Sequence, residues 1–234
     1  MTGPKPPAAS KLAEICAMKA PLSAKLAAYA EDLRRRGSPF AGEYDTIVAR
    51  LRSGEVGADA PKAGEDMPSF LLPDTSGRMM SLEELRAGGP VVISFNRGHW
   101  CPFCKIELTS LAAAEAELAG VAAKVVSIMP DRQSFVQPLA AELDGKVTIF
   151  SDIDNDYAIS LGLAMWVGDR ARALMEGIGW HLDQFQGNDT WLLPLPATFV
   201  VDKDGLILAR FVDADFRERM EIEEVLAALQ RAKR

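Results

Sequence analysis

The stretch PVVISFNRGHWCPFC, residues 90–104, decides the fold. Its first half is an unbroken apolar run with β-branched residues, the composition of a strand buried on both faces. The strand ends near Arg97, and a helix begins at about Cys101. Pro102 suits the first helical position, where its missing N–H is harmless. Cys101 therefore falls at the first turn of a helix, where free N–H groups and the helix dipole favour a thiolate. Arg97 adds positive charge nearby. Cys104, one turn on, shares a face with Cys101 and can reach back to it. On this reading Cys101 is the attacking and more exposed sulfur, and Cys104 is the resolving one.

Other readings of the pair are weaker. A structural zinc site needs four ligands, and beyond the pair only Cys16, His99 and His181 remain, with no second CxxC. Inert buried thiols lie more often in mid-element than at a strand-to-helix junction. Three cysteines in 234 residues do not form a disulfide framework. Cys16 reads as packing in a helix. No metal or bound cofactor is expected.

The whole composition fits this chemistry. A net charge of −7 argues against nucleic acid or an anionic membrane as partner. No apolar run approaches the roughly 20 residues of a membrane span. The first 20 residues lack the apolar core of a signal peptide, so a cytoplasmic location is expected.

Outward from the pair, the chain is α/β. Residues 1–10 are Pro- and Ala-rich and are expected to fray. Leu22, Leu26, Tyr29 and Leu33 recur at helical spacing, as do Tyr44, Ile47, Val48 and Leu51. Gly- and Pro-punctuated residues 54–68 read as a linker. The expected division is an N-terminal helical extension over residues 1–60 and a single α/β domain over residues 61–234. In the second part a hairpin and helix precede the strand at 90–97. Further strands are expected at 123–129 and 146–150, and a hairpin at 197–212 around KDG. A final amphipathic helix carries Ile222, Val225, Leu226 and Leu229. Residues 164–190 fit no strong pattern and exceed a normal connection. Their Trp166, Trp180 and Phe185 suggest a lid, an interface or a locally packed insert. The acidic run at 152–156 lacks the glycine and glutamate of a calcium loop and reads as a helix cap.

WCPFC after a buried strand resembles the active-site motif of the thioredoxin superfamily. LPATFVVDKDG (195–205) resembles its later segment, and GEDMPSFLLPDTSGRMMSLEEL and IFSDIDNDYAISLGL resemble peroxiredoxin segments. The chain is thus similar to the alkyl hydroperoxide reductase and thiol-specific antioxidant family, in its CxxC-bearing branch. The resemblance implies a thioredoxin-like fold, with a central mixed sheet covered by helices on both faces. It also implies that Pro196 is a cis-proline facing the cysteines and that Trp100 shields the pair. His99 is either a tuning group or a plain loop residue. Two positions depart from the family. Gly98 stands where a threonine is usual, and Pro196 stands where an arginine is usual.

The expected function is that of a CxxC thiol–disulfide oxidoreductase that reduces disulfides and, second, hydroperoxides. An external thiol reductant, such as a thioredoxin or glutathione system, would restore the dithiol. The alternative is a non-catalytic redox sensor or binding module. The N-terminal helices either dock on their own domain or pair two subunits into a homodimer.

Overall fold

The computed structural model describes residues 8–231. The stretch expected to fray therefore lies outside the described residues, except that residues 8–10 already belong to the first helix. Three helices come first: α1 (Ala8–Cys16), α2 (Leu22–Arg35) and α3 (Pro39–Ser53). Next come β1 (Leu71–Pro73), β2 (Met79–Ser81), α4 (Leu82–Arg86), β3 (Val91–Phe95), α5 (Pro102–Ala113), α6 (Glu115–Ala119), β4 (Lys124–Met129), α7 (Gln133–Glu142) and β5 (Thr148–Ser151). The chain continues through α8 (Asp156–Ser160), β6 (Ala164–Trp166), α9 (Asp169–Gly177), α10 (Leu182–Gln186) and β7 (Leu192–Pro194). It closes with β8 (Ala197–Val201), β9 (Ile207–Val212) and α11 (Ile222–Arg231).

The central sheet has the order β5-β4-β3-β8-β9. β3 runs parallel to β4 and antiparallel to β8, so the sheet is mixed. Every residue of β3 is buried, as its apolar run requires of a middle strand. Val91, Ile93 and Phe95 pack into one core, and Val92 packs into another on the opposite face with Val136 of α7 and Val225 of α11. The helix-covered thioredoxin-like architecture expected from the sequence is therefore present.

The acidic run after β5 acts as a cap. Asp152 accepts hydrogen bonds from the backbone N–H groups of Tyr157 and Ala158, satisfying donors at the start of α8. Residues 164–190 carry β6, which pairs with β7 just beyond them, and α9, which lies against α3, while Trp180 meets Phe40 and Trp100. The sequence hid these elements because they are too short for a clear period.

The N-terminal helices dock on their own chain, with α1 and α2 both against α5. Two sets of polar contacts fix them there, one of them buried. Lys25 donates to Ser110 Oγ of α5 at 3.2 Å. The Glu221 carboxylate accepts from the backbone N–H groups of Leu22 and Ser23 at 2.9 and 2.8 Å. A carboxylate from the far end of the chain thus caps α2, whose own preceding residue, Pro21, supplies no side-chain cap.

Pro196 corrects an expectation. No cis peptide bond occurs among the described residues, so the Leu195–Pro196 bond is trans. The local path accounts for this. Only Leu195 and Pro196 separate β7 from β8, and the Leu195 N–H bonds to the Leu163 carbonyl, prolonging the β6–β7 pairing. The chain stays extended and makes no reversal there, so the ordinary isomer serves.

Candidate active site

Cys101 is the N-cap of α5, and its sulfur accepts from the backbone N–H of Cys104 at 3.4 Å. The Cys104 thiol points back at it, with the two sulfurs 2.7 Å apart and both cysteines free. The Arg97 guanidinium donates to Cys101 Sγ at 3.2 Å, and the Arg97 backbone N–H donates to Cys104 Sγ at 3.4 Å. The spacing read from the sequence thus places both sulfurs and Arg97 in one cluster.

The electrostatics separate the two thiols. Burial pushes the Cys101 thiol up. The hydrogen bond from Cys104 and the charges of Arg97 and Arg219 outweigh that burial and bring it down to about 5. Burial, the hydrogen bond to Cys101 and the nearby negative charge hold Cys104 well above the ordinary thiol range. The two shifts run in opposite directions, favouring the thiolate on Cys101 and the thiol on Cys104.

Cys101 is not the more exposed sulfur. Its relative exposure is 0% and that of Cys104 is 1%. The expectation considered the strand-to-helix junction alone, and other segments cover that junction. Phe103 of the motif meets Tyr29 of α2 edge-on at 5.1 Å and Tyr44 of α3 at 6.0 Å. The Arg97 guanidinium lies in an aromatic cage, 4.1 Å from the Phe216 ring centre, 5.5 Å from Tyr44 and 5.6 Å from Trp100. Burial works against its charge, but the Cys101 thiolate outweighs burial, and Arg97 stays protonated. Trp100 packs on Trp180 of the 164–190 segment at 4.9 Å.

Pro102, at the start of α5, lines a cavity of about 370 Å³ together with Trp100, Tyr44, Phe40, Ile178 and Trp180. Pro196 is buried beside the register pair Phe95–Ala197, where β3 ends towards Arg97. The contacts of His99 go elsewhere. Its Nδ1 and its backbone N–H both meet Asp131 Oδ2 at 2.7 Å, and its ring stacks on Phe135 and meets Phe185 edge-on. Gly98 also has a structural reason. Its φ is +148°, and a Cβ there would lie 2.4 Å from Trp100 Nε1 and 2.8 Å from Asp131 Oδ2. No threonine fits at this position.

Two residues of the site escaped sequence reading. Glu107 lies on α5 beneath the pair, and Arg219 reaches in from the segment before α11. They form a buried ion pair at 2.8 Å, with side-chain exposures of 2% and 1%. Arg219 Nη2 is 3.8 Å from Cys104 Sγ. Ser94 and Thr198 donate to the other carboxylate oxygen at 3.0 and 3.3 Å. Burial pushes the Glu107 carboxyl up, against the pull of Arg219. The spacing of Glu107, three residues after Cys104 on the same helix, was the available signal. Arg219 lies in a charge-rich stretch, FRERMEIEE, that reads as surface.

Comparison with known proteins gives the family. The AhpC/TSA family matches residues 63–210. Thiol-disulfide oxidoreductase ResA of Bacillus thuringiensis (strain Al Hakam) is 23% identical over 188 residues, covering 76% of this chain and 91% of that protein. Peroxidoxin BcpB from Mycobacterium tuberculosis is 25% identical with a TM-score of 0.56, over 74% of this chain and 98% of that one. Thiol peroxidase from Chromobacterium violaceum shares the fold with a TM-score of 0.57 at 17% identity, over 75% of this chain and 90% of that one. Tyr29, Tyr44, Phe216 and Arg219 lie outside the residues that the family match spans. With more than half of its length matched, the chain belongs to the AhpC/TSA family and is an oxidoreductase.

Proposed function

We propose that the protein is a CxxC thiol–disulfide oxidoreductase in which Cys101 attacks and Cys104 resolves. One observation carries the reading: Cys101 Sγ accepts from the Arg97 guanidinium, the Cys104 thiol and the Cys104 N–H together. All three contacts favour a thiolate on Cys101 and leave the proton on its neighbour. The thiolate attacks one sulfur of a substrate disulfide, forms a mixed disulfide and expels the other sulfur as a thiolate, which takes up a proton. Cys104 then displaces the bound half and closes the Cys101–Cys104 bond. An external thiol reductant of the thioredoxin or glutathione type returns two electrons and restores the dithiol, which suits a reducing cytoplasmic setting. Residues 1–60 act as a helical cover on the 61–234 redoxin domain. The apolar cavity over Trp100 and Pro102 is the approach to the sulfurs, and these two side chains must move to admit substrate.

A second substrate class is supported by Arg97. The family's usual arginine position holds Pro196, yet a guanidinium, that of Arg97, reaches Cys101. Attack on a hydroperoxide would give a sulfenic acid at Cys101 and release an alcohol or water. Cys104 would again close the cycle.

The test is Cys104→Ser. This variant should stall with a mixed disulfide or a sulfenate at Cys101, detected by intact mass, and should lose steady-state turnover. Stronger trapping by disulfides than by hydrogen peroxide identifies exchange as the main reaction. Full turnover by Cys104→Ser, with Cys16 also replaced, would refute the assignment. A wild-type protein that forms the internal disulfide once and does not turn over with a thiol reductant would instead be a redox sensor.

A further inference from the structure

Resting on that dithiol reading, we propose that Arg219 makes Cys104 a competent resolving nucleophile, by compensating the negative charge on its sulfur once Cys101 has been oxidised. The guanidinium is fixed for this task. Its Nε bonds to Glu107, its Nη1 bonds to the carbonyls of Phe216 and Glu218, and its Nη2 faces Cys104 Sγ at 3.8 Å. A side chain that is 1% exposed cannot swing away to water.

The charge count and the Arg219–Cys104 contact together give the reason. The groups that act on Cys104 are Cys101 at the start of α5, Arg97 after β3 and Arg219 before α11. Around them, Glu107 of α5 pairs with Arg219, and Tyr29 of α2 and Tyr44 of α3 act on Cys101. Burial raises both phenols, so they stay neutral. In the reduced protein Arg97 and Arg219 are balanced by Glu107 and the Cys101 thiolate, and Cys104 keeps its proton. Oxidation turns the Cys101 sulfur neutral, as a mixed disulfide or a sulfenic acid. Two guanidiniums then face one carboxylate in a site closed to water. Loss of the Cys104 proton restores the balance, and the new thiolate lies between the Arg97 backbone N–H and Arg219.

The bonds balance. The Cys104 thiolate attacks Cys101 Sγ, the S–S bond to the substrate half or the S–O bond of the sulfenic acid breaks, and the departing thiolate or hydroxide takes up the Cys104 proton. Cys101 and Cys104 are left as a disulfide. The same negative charge that resides on Cys101 in the resting protein passes to Cys104 for the second half of the cycle. Arg97 is placed for the first half and Arg219 for the second.

The experiment resolves the two halves in time. The full chain with Cys16→Ser is mixed with hydroxyethyl disulfide, quenched in acid and analysed by intact mass. The Cys101 adduct rises in the first step and disappears as the internal disulfide forms in the second. Arg219→Met alone would strand Glu107 as an unpaired buried carboxylate, so the neutral double variant Arg219→Met, Glu107→Gln is used, with Arg219→Lys beside it. The double variant leaves the net charge of the site unchanged and removes only the guanidinium facing Cys104, so it isolates that contact. It should slow disappearance of the adduct about tenfold or more relative to any effect on its formation, and resolution should recover at a pH about one to two units higher. Arg219→Lys keeps the charge and should keep resolution within about threefold of the parent. Equal slowing of both steps, or undiminished resolution in the double variant, would overturn the proposal. Failure of Cys104→Ser to form any adduct at Cys101 would instead overturn the dithiol reading beneath it.

Discussion

Arg97→Met removes the cation nearest the attacking sulfur and leaves an apolar chain of similar length inside the aromatic cage. Two unit charges 3.2 Å apart interact by about 5 kcal/mol at an effective dielectric constant of about 20, equivalent to about 4 pH units. That figure is a ceiling. Arg219 remains, and both donors from Cys104 remain, so about half of it, near 2 units, is the expected change. The sign follows from the charge: losing a cation disfavours the thiolate, so the midpoint rises. It moves from about 5 in the parent to about 7 in the variant. Cys104 ionises far above this range, so thiolate ultraviolet absorbance in a Cys16→Ser background reports Cys101 alone. Rates behave less simply, because a more basic thiolate is also a better nucleophile. With a Brønsted slope of about 0.45, the ionised variant is about eight times more reactive. Near neutrality, where half of it is ionised, alkylation by a small reagent should be about four times faster than in the parent. Near pH 5 only about one part in a hundred is ionised, and alkylation should be about six times slower. The two pH–rate curves should therefore cross. A midpoint displaced by less than about half a unit would show that Arg97 does not set the ionisation. A uniform slowing at every pH would place the effect on access or folding instead.

Two further outcomes concern the cover. Glu221→Ala frees the Leu22 and Ser23 N–H groups at the start of α2 and should cost about 1–2 kcal/mol, read as a lower midpoint in urea unfolding. Phe103→Ala empties a fully buried site where α2, α3 and α5 meet and should cost about 3–5 kcal/mol by the same measurement; a loss under about 1 kcal/mol would show that the helices do not depend on this contact.

The sheet was legible because its strands carry strong local signals. The apolar, β-branched run at 90–97 carries the signal of a buried strand, and KDG between two strand-like runs carries that of a hairpin. The sulfur pair was legible for the same reason, since spacing along one helix turn fixes which side chains meet. What surrounds the pair was not. Tyr29 and Tyr44 scan as ordinary core positions of amphipathic helices, and nothing local says that their core is the active site. Arg219 is 115 residues from Cys104, in a segment whose alternating charges suggest solvent. The trans bond at Pro196 was missed because the motif alone does not show the β6–β7 pairing that keeps Leu195 extended. The burial of Cys101 was missed because the strand-to-helix junction was read without Tyr29, Tyr44 and Phe216, which come from distant segments to cover it.

The covering segments alter the chemistry as well as the shape. Burial alone would raise both thiols and leave the pair inert. Charge alone, on an open surface, would be screened by water and salt and would shift a thiol far less. The helices that exclude water from Cys101 are the same ones that place Tyr44 against Arg97, and the segment that contributes Phe216 to the cage also carries Arg219. Low local dielectric strengthens each guanidinium on its sulfur, and the guanidiniums in turn permit a charge to exist without solvent. The cover and the low ionisation of Cys101 therefore depend on each other. Loosening the N-terminal helices should raise the Cys101 midpoint even where no residue touching a sulfur has changed, because water would dilute Arg97 more than it would relieve a thiolate already hydrogen-bonded three times. Thiolate absorbance of Glu221→Ala measures this directly. A rise in midpoint together with the loss of stability would tie the extension to the reaction, and an unchanged midpoint would show that the cage around Arg97 holds without it.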